Sequence, residues 1–189
     1  MTRQNSLHLT MDCQHATLWC WAAVAQCINA FKGKSTTQEQ VASNNVGKSC
    51  SMDDLEDETV NCDGTSPCAG NCNSPHKLSH VLSDEGHNVQ AINIKVLDFE
   101  DVVDAVDNGN PLPLRIAITT GSGGGHFLCI TGYADDGDGN RFVDVLDPLV
   151  PGVRGGAATV RDIPFETLAN GKYSVSGDKG KPNFKYELG

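Results

Sequence analysis

Residues 19 to 31 read Trp-Cys-Trp-Ala-Ala-Val-Ala-Gln-Cys-Ile-Asn-Ala-Phe, a run of good helix formers that is apolar nearly all round and is followed by Gly33. A helix without a polar stripe has to be buried, so this pattern predicts a central core helix. Thr36 followed by Glu39 makes a capping-box pattern for a short second helix to about Ser43, and Pro75 to Ser83 reads as a third, stopped by Gly86. From Val89 the spacing of apolar residues changes. Val89 to Ile94 predicts a strand, and a helix follows from about Phe99 to Asp107, stopped by Gly109.

Strands dominate from there on. Leu112 to Thr119, Phe127 to Tyr133 and Arg141 to Leu146 are short apolar runs with β-branched residues, and the acidic, glycine-containing stretch from Asp135 to Asn140 joins the last two as a hairpin. That stretch also resembles a calcium loop. An EF-hand would need Gly where Arg141 stands and an acidic ligand further on, so the turn reading is preferred. The elements add up to an α+β chain in a single domain over 1–189, mainly helical over 1–95 and mainly β over 96–189, with a cleft between the two lobes. No internal repeat or low-complexity tract interrupts it.

Composition narrows the possibilities. A chain of 189 residues with 39% hydrophobic content can bury a core of its own. No stretch approaches the roughly 20 apolar residues of a membrane span, and the polar opening Thr2 to Ser6 lacks the regions of a signal peptide. Membrane residence is therefore not expected, while secretion or delivery as an effector stays open. A net charge of −10 argues against nucleic acid, whose binding needs a basic surface. The acidic run Asp53 to Glu58 reads as a solvated loop.

Cys50, Cys62, Cys68 and Cys72 crowd a segment rich in Gly, Asn, Ser and Pro. Four free thiols are one reading and a zinc knot completed by His76 or His80 is another, but the spacing lacks paired Cys-x2-Cys knuckles. Two disulfides are the preferred reading, because they would staple a segment with few apolar residues of its own. Their connectivity is not encoded in the spacing.

Cys20 stands at the start of the core helix, where the helix dipole favours thiolate, the attacking species. Cys27, two turns further on, lies where no unpaired backbone donors remain and reads as core. A cysteine nucleophile needs a base. His126 is the best placed of the six histidines, because it follows the glycine loop from Gly121 to Gly125 at the start of a strand. The imidazole needs an orienting acceptor in turn. Hairpin pairing centred on Gly137 and Asp138 sets Asp147 opposite Leu128, on the sheet face of His126, and sets Asp144 opposite Thr131 on the other face. Pro148 holds Asp147 extended. Gln14, six residues ahead of Cys20, offers amide donors that could share an oxyanion hole with the Cys20 backbone N–H.

Gln14, Cys20-Trp21-Ala22, Gly125-His126-Phe127 and Asp147-Pro148 resemble, in order and spacing, the papain-like cysteine peptidases. The opening Gln-x5-Cys-Trp-Ala-Ala and the segment Cys72-Asn73-Ser74-Pro75 make the chain more similar to the bacterial secreted or effector members than to plant and lysosomal ones. The resemblance implies a papain-like fold, a thiolate–imidazolium pair of Cys20 and His126, Asp147 as orienter and Gln14 in the oxyanion hole. It implies no cofactor. A protein or peptide substrate follows, and a separate inhibitor or immunity protein is a possible partner. Two other functions fit parts of the pattern: acyl transfer by a transglutaminase or deamidase on the same Cys-His-Asp set, and a non-enzymatic disulfide-stapled binding module.

Overall fold

Trp19 caps the first helix (α1, Cys20–Phe31), so the helix begins on the cysteine itself, and Gly33 turns the chain away at φ 79°. The missing polar stripe is explained by burial, since Cys20 to Ala25, Cys27, Ile28 and even Asn29 are buried. Asn29 is tolerated because its amide is fully used. Its Nδ2 donates to Thr36 Oγ1 and Glu85 Oε2, both at 2.8 Å, and its Oδ1 meets the His87 ring at 2.6 Å. The structure, a computed structural model, describes residues 2–51, 72–121, 123–149, 159–175 and 177–189.

The engaged Thr36 hydroxyl accounts for one departure from the expected pattern. The capping box falls one residue later, on Thr37 and Gln40, and α2 runs Gln38–Val46, ending at a left-handed Gly47. The third helix also starts later than expected, at Leu78 (α3, Leu78–Asp84). Residues ahead of it are held by the core helix instead: the indole N–H groups of Trp19 and Trp21 donate to the carbonyls of Cys72 and Ser74 at 2.7 and 2.9 Å.

The strands are β1 (Arg3–Ser6), β2 (Val89–Asn93), β3 (Leu112–Ile118), β4 (Gly125–Asp135), β5 (Arg141–Leu146), β6 (Thr159–Pro164), β7 (Tyr173–Val175) and β8 (Asp178–Leu188). Helices α4 (Phe99–Asp107) and α5 (Phe165–Ala169) lie between them. Among the described residues all strand pairs are antiparallel, in the order β2-β8-β3-β4-β5-β6, with β1 added on β4 and β7 on β8. The front half therefore contributes β1 and β2 to the same sheet. Side chains of β4 alternate between two cores. Phe127 and Cys129 pack with α1, α2 and α3, while Leu128 and Ile130 pack with α4 and α5.

The β4–β5 hairpin is wider than expected. Asp135 pairs with Arg141 and Gly132 with Asp144, and a register shift between Ile130 and Gly132 then restores the expected pairing of Cys129 with Leu146. Asp144 thus opposes Gly132, not Thr131. The loop carboxylates bond the loop's own backbone, Asp135 to Gly137 N and Asp136 to Asp138 N and Asn140 N, which is what a turn requires.

Candidate active site

The turn that delivers Cys20 is held from outside by one segment. Leu18 N donates to Asn73 Oδ1, and Asn73 Nδ2 donates to Thr17 Oγ1, both at 2.9 Å, beside the two indole bonds described above. Cys72, which anchors that segment, is bridged to Cys50 in a disulfide. One pair of the crowded cysteines is thus joined. Cys62, Cys68 and the acidic run 53–58 lie outside the described residues. A zinc knot would need Cys50 and Cys72 as separate thiolates.

His126 is the second residue of β4. Gly124 precedes the strand at φ 107°, a backbone conformation that favours glycine, and the Arg115 guanidinium lies over Gly125 where a Cβ would stand. The ring is 3% exposed, and its Nε2 meets Asp147 Oδ1 at 2.6 Å. Cys20 also acts on the ring, and with Nε2 committed to Asp147 the nitrogen left to serve it is Nδ1. Burial works against charge on this imidazole. The bonds and charges of Asp147 and Cys20 outweigh it and raise its pKa to about 9.

Asp147 follows β5 and is 4% exposed. Burial would raise its carboxyl, but the His126 bond and charge, the Tyr173 hydroxyl and the Leu149 N–H together hold it below the ordinary carboxylate range. Leu149 N donates to Oδ1 at 2.8 Å and Tyr173 Oη to Oδ2 at 2.6 Å. Two other buried thiols, Cys27 and Cys129, lack such a setting. Burial, with Asp12 nearby, pushes Cys27 up to about 12, and burial pushes Cys129 well above its ordinary value.

Gln14 is fixed at its backbone from both sides. Gln38 receives His15 N and donates to Cys13 O, each at 3.0 Å, and Gln14 N donates to Pro148 O at 3.0 Å. Its side chain is not turned to the cleft: Nε2 donates to the carbonyls of Ala16 and Thr17 at 2.8 Å, and Oε1 is buried with no hydrogen-bond partner among the described residues. The structure therefore brings Cys20, His126 and Asp147 together and sets Gln14 beside them with its donors engaged.

A cleft of about 380 Å³ opens over the cysteine. Leu18 and Trp21 from the α1 end, Gly123 to Gly125 and Val175 line it, with His76 against the Trp21 ring at 4.6 Å between centroids. Among the described residues that line it there is no Asp, Glu, Lys or Arg. The residues that hold the site, Gln38, Asn73 and Tyr173, were not singled out in the sequence. Asn73 alone had a signal, its place in the Cys-Asn-x-Pro segment.

A thiol at a helix start, a buried His–Asp pair beside it, and helices packed on an antiparallel sheet define the papain-like cysteine peptidases, and the papain-like fold implied by the motifs is the fold found. The chain matches the model of the Peptidase C39 like family over residues 2–179 and belongs to that family. Its fold is similar to the peptidase domain of Streptococcus ComA, a bi-functional ABC transporter involved in a quorum sensing pathway. The TM-score is 0.50 at 13% identity, covering 96% of this chain and 98% of that one. No curated protein matched. The protein is thus a cysteine peptidase whose substrate is a protein or peptide. Among the described residues no helix is long and apolar enough to cross a membrane.

Proposed function

We propose that the chain is an endopeptidase that cuts through a thioester on Cys20. The observation that carries this reading is the buried contact of His126 with Asp147 at 2.6 Å, with His126 and Cys20 lining one cleft. The Cys20 thiolate attacks the scissile carbonyl carbon, and His126 passes its proton to the departing amine. Water, deprotonated by His126, then attacks the thioester carbonyl, releases the acid and restores the Cys20 thiolate beside a protonated His126. Asp147 holds the ring and supports its charge. The Cys20 backbone N–H, in the helix turn where no intrahelical acceptor exists, faces the oxyanion. The Cys50–Cys72 disulfide supports a life partly spent in an oxidising compartment, as a secreted or delivered effector.

Gln14 joins the oxyanion hole by exchanging one of its two carbonyl contacts for the substrate oxygen. Gln14→Ala should then lower kcat by roughly 10- to 1,000-fold with little change in folding. An unchanged kcat would make the amide only a strut of the turn from Ala16 to Thr17.

The pH profile tests the ion pair. An imidazole raised from 6.5 to about 9 keeps its proton through neutrality, so the basic limb of kcat/KM should fall near pH 9. The same shift stabilises the fold fully below pH 6.5 and ceases to do so as pH rises through about 9. A basic limb at the ordinary histidine value would show that Cys20 and Asp147 do not hold the charge.

A further inference from the structure

The Tyr173 hydroxyl has no place in the mechanism above, yet it is buried against the site. Tyr173 is 7% exposed and its Oη donates to Asp147 Oδ2 at 2.6 Å, while His126 and Leu149 N both use Oδ1. We infer that Tyr173 is a positioning residue for the Cys20–His126–Asp147 group, fixing the Asp147 carboxylate in the plane and rotamer that hold the imidazole toward Cys20.

The fold is built to keep that hydroxyl in place. Tyr173 opens β7 opposite Gly180 of β8, where a Cβ would lie 2.2 Å from Ile116 Cγ2, so β8 is pressed close against β3 at this point. Two residues along the same face of β7, Val175 lines the cleft. One short strand therefore forms cleft wall and carboxylate support together. Without the hydroxyl, Oδ2 is a buried charged acceptor with nothing bonded to it, free to satisfy itself only by turning, and turning takes Oδ1 from the imidazole. Among the described residues, the titratable groups facing Asp147 are His126 from β4 and Tyr173 from β7, with Cys20 of α1 beyond the ring. Burial and the Asp147 charge push the Tyr173 hydroxyl well above its ordinary pKa, so it stays a donor throughout the working range.

The inference rests on the peptidase reading for its effect on turnover, but not for its effect on His126. Its test is an NMR titration of the His126 imidazole in the full chain, for wild type, Tyr173→Phe, Asp147→Asn and the double variant, with the resonance assigned by its loss in His126→Ala. Tyr173→Phe keeps the ring and its packing. The His126 midpoint should fall by about one unit from its wild-type value, the Nε2 proton signal should broaden, and adding Tyr173→Phe to Asp147→Asn should shift the midpoint little further. An unchanged midpoint, or equal shifts in both backgrounds, would overturn the inference. So would a rise, which would mean that the hydroxyl only competes with the imidazole for the carboxylate charge. On a cleavable peptide the same variant should lower kcat about tenfold with KM unchanged. If wild type cleaves nothing while the titration behaves as stated, the peptidase reading fails and the positioning role stands.

Discussion

Cys20→Ala is expected to abolish peptide-bond cleavage, lowering kcat/KM by about 10,000-fold or more while the Tm moves by a few degrees at most. The kinetic effect is large because neither Cys27 nor Cys129 can substitute. Cys27 lies along the same helix but is 3% exposed and pushed up to about 12 by burial, and Cys129 is fully enclosed. The stability effect is small because the change removes one sulfur at the first residue of α1, beside an open cleft. Cys27→Ala is the matching control. It should leave kcat/KM near normal and cost about 1–2 kcal/mol of stability through the cavity left in the core.

Asp147→Ala should cut kcat/KM by about 100- to 10,000-fold and also destabilise the fold by about 3 kcal/mol or more. Three donors lose their acceptor at once: the buried His126 Nε2 and Tyr173 Oη, and the half-buried Leu149 N. The sign of the pH dependence follows from the depressed carboxyl. Its contribution to stability is present above the ordinary carboxylate value of 3.8 and is lost as pH falls through the lower folded value, and the variant should lack that part of the acid transition. Asp147→Asn should be milder, since an amide oxygen still accepts the ring N–H. Asp144→Ala separates the two aspartates. Its carboxylate accepts from Ser6 Oγ at 3.2 Å, opposite Gly132 and away from His126, so kinetics should stay near normal. A large defect there with a near-normal Asp147→Ala would contradict the assignment.

What the sequence revealed tracked how local each signal is. The core helix was legible because thirteen residues carry one unbroken pattern, and Cys20 because a helix start changes a thiol's chemistry wherever the rest of the chain goes. The pairing of Cys129 with Leu146 followed from the hairpin, although the turn is wider and a bulge at Thr131 absorbs the difference. The capping residue was misplaced by one, because the choice between Thr36 and Thr37 depends on Asn29, a contact across helices. The strands after Leu146 were not anticipated. β7 has three residues, and β8 gains its place by pairing with β2 and β3 from distant parts of the chain. Tyr173 was invisible for the same reason: it meets Asp147 across 26 residues through tertiary packing alone.

The central claim is that Cys20 breaks peptide bonds. The direct measurement is mass spectrometry of a protein mixture incubated with wild type and, in parallel, with Cys20→Ala. The account predicts new N-termini with wild type that are absent with the variant. Mass changes on glutamine side chains without new termini would instead assign the same three residues to deamidation or transamidation, and new termini that persist in Cys20→Ala would remove Cys20 from the chemistry.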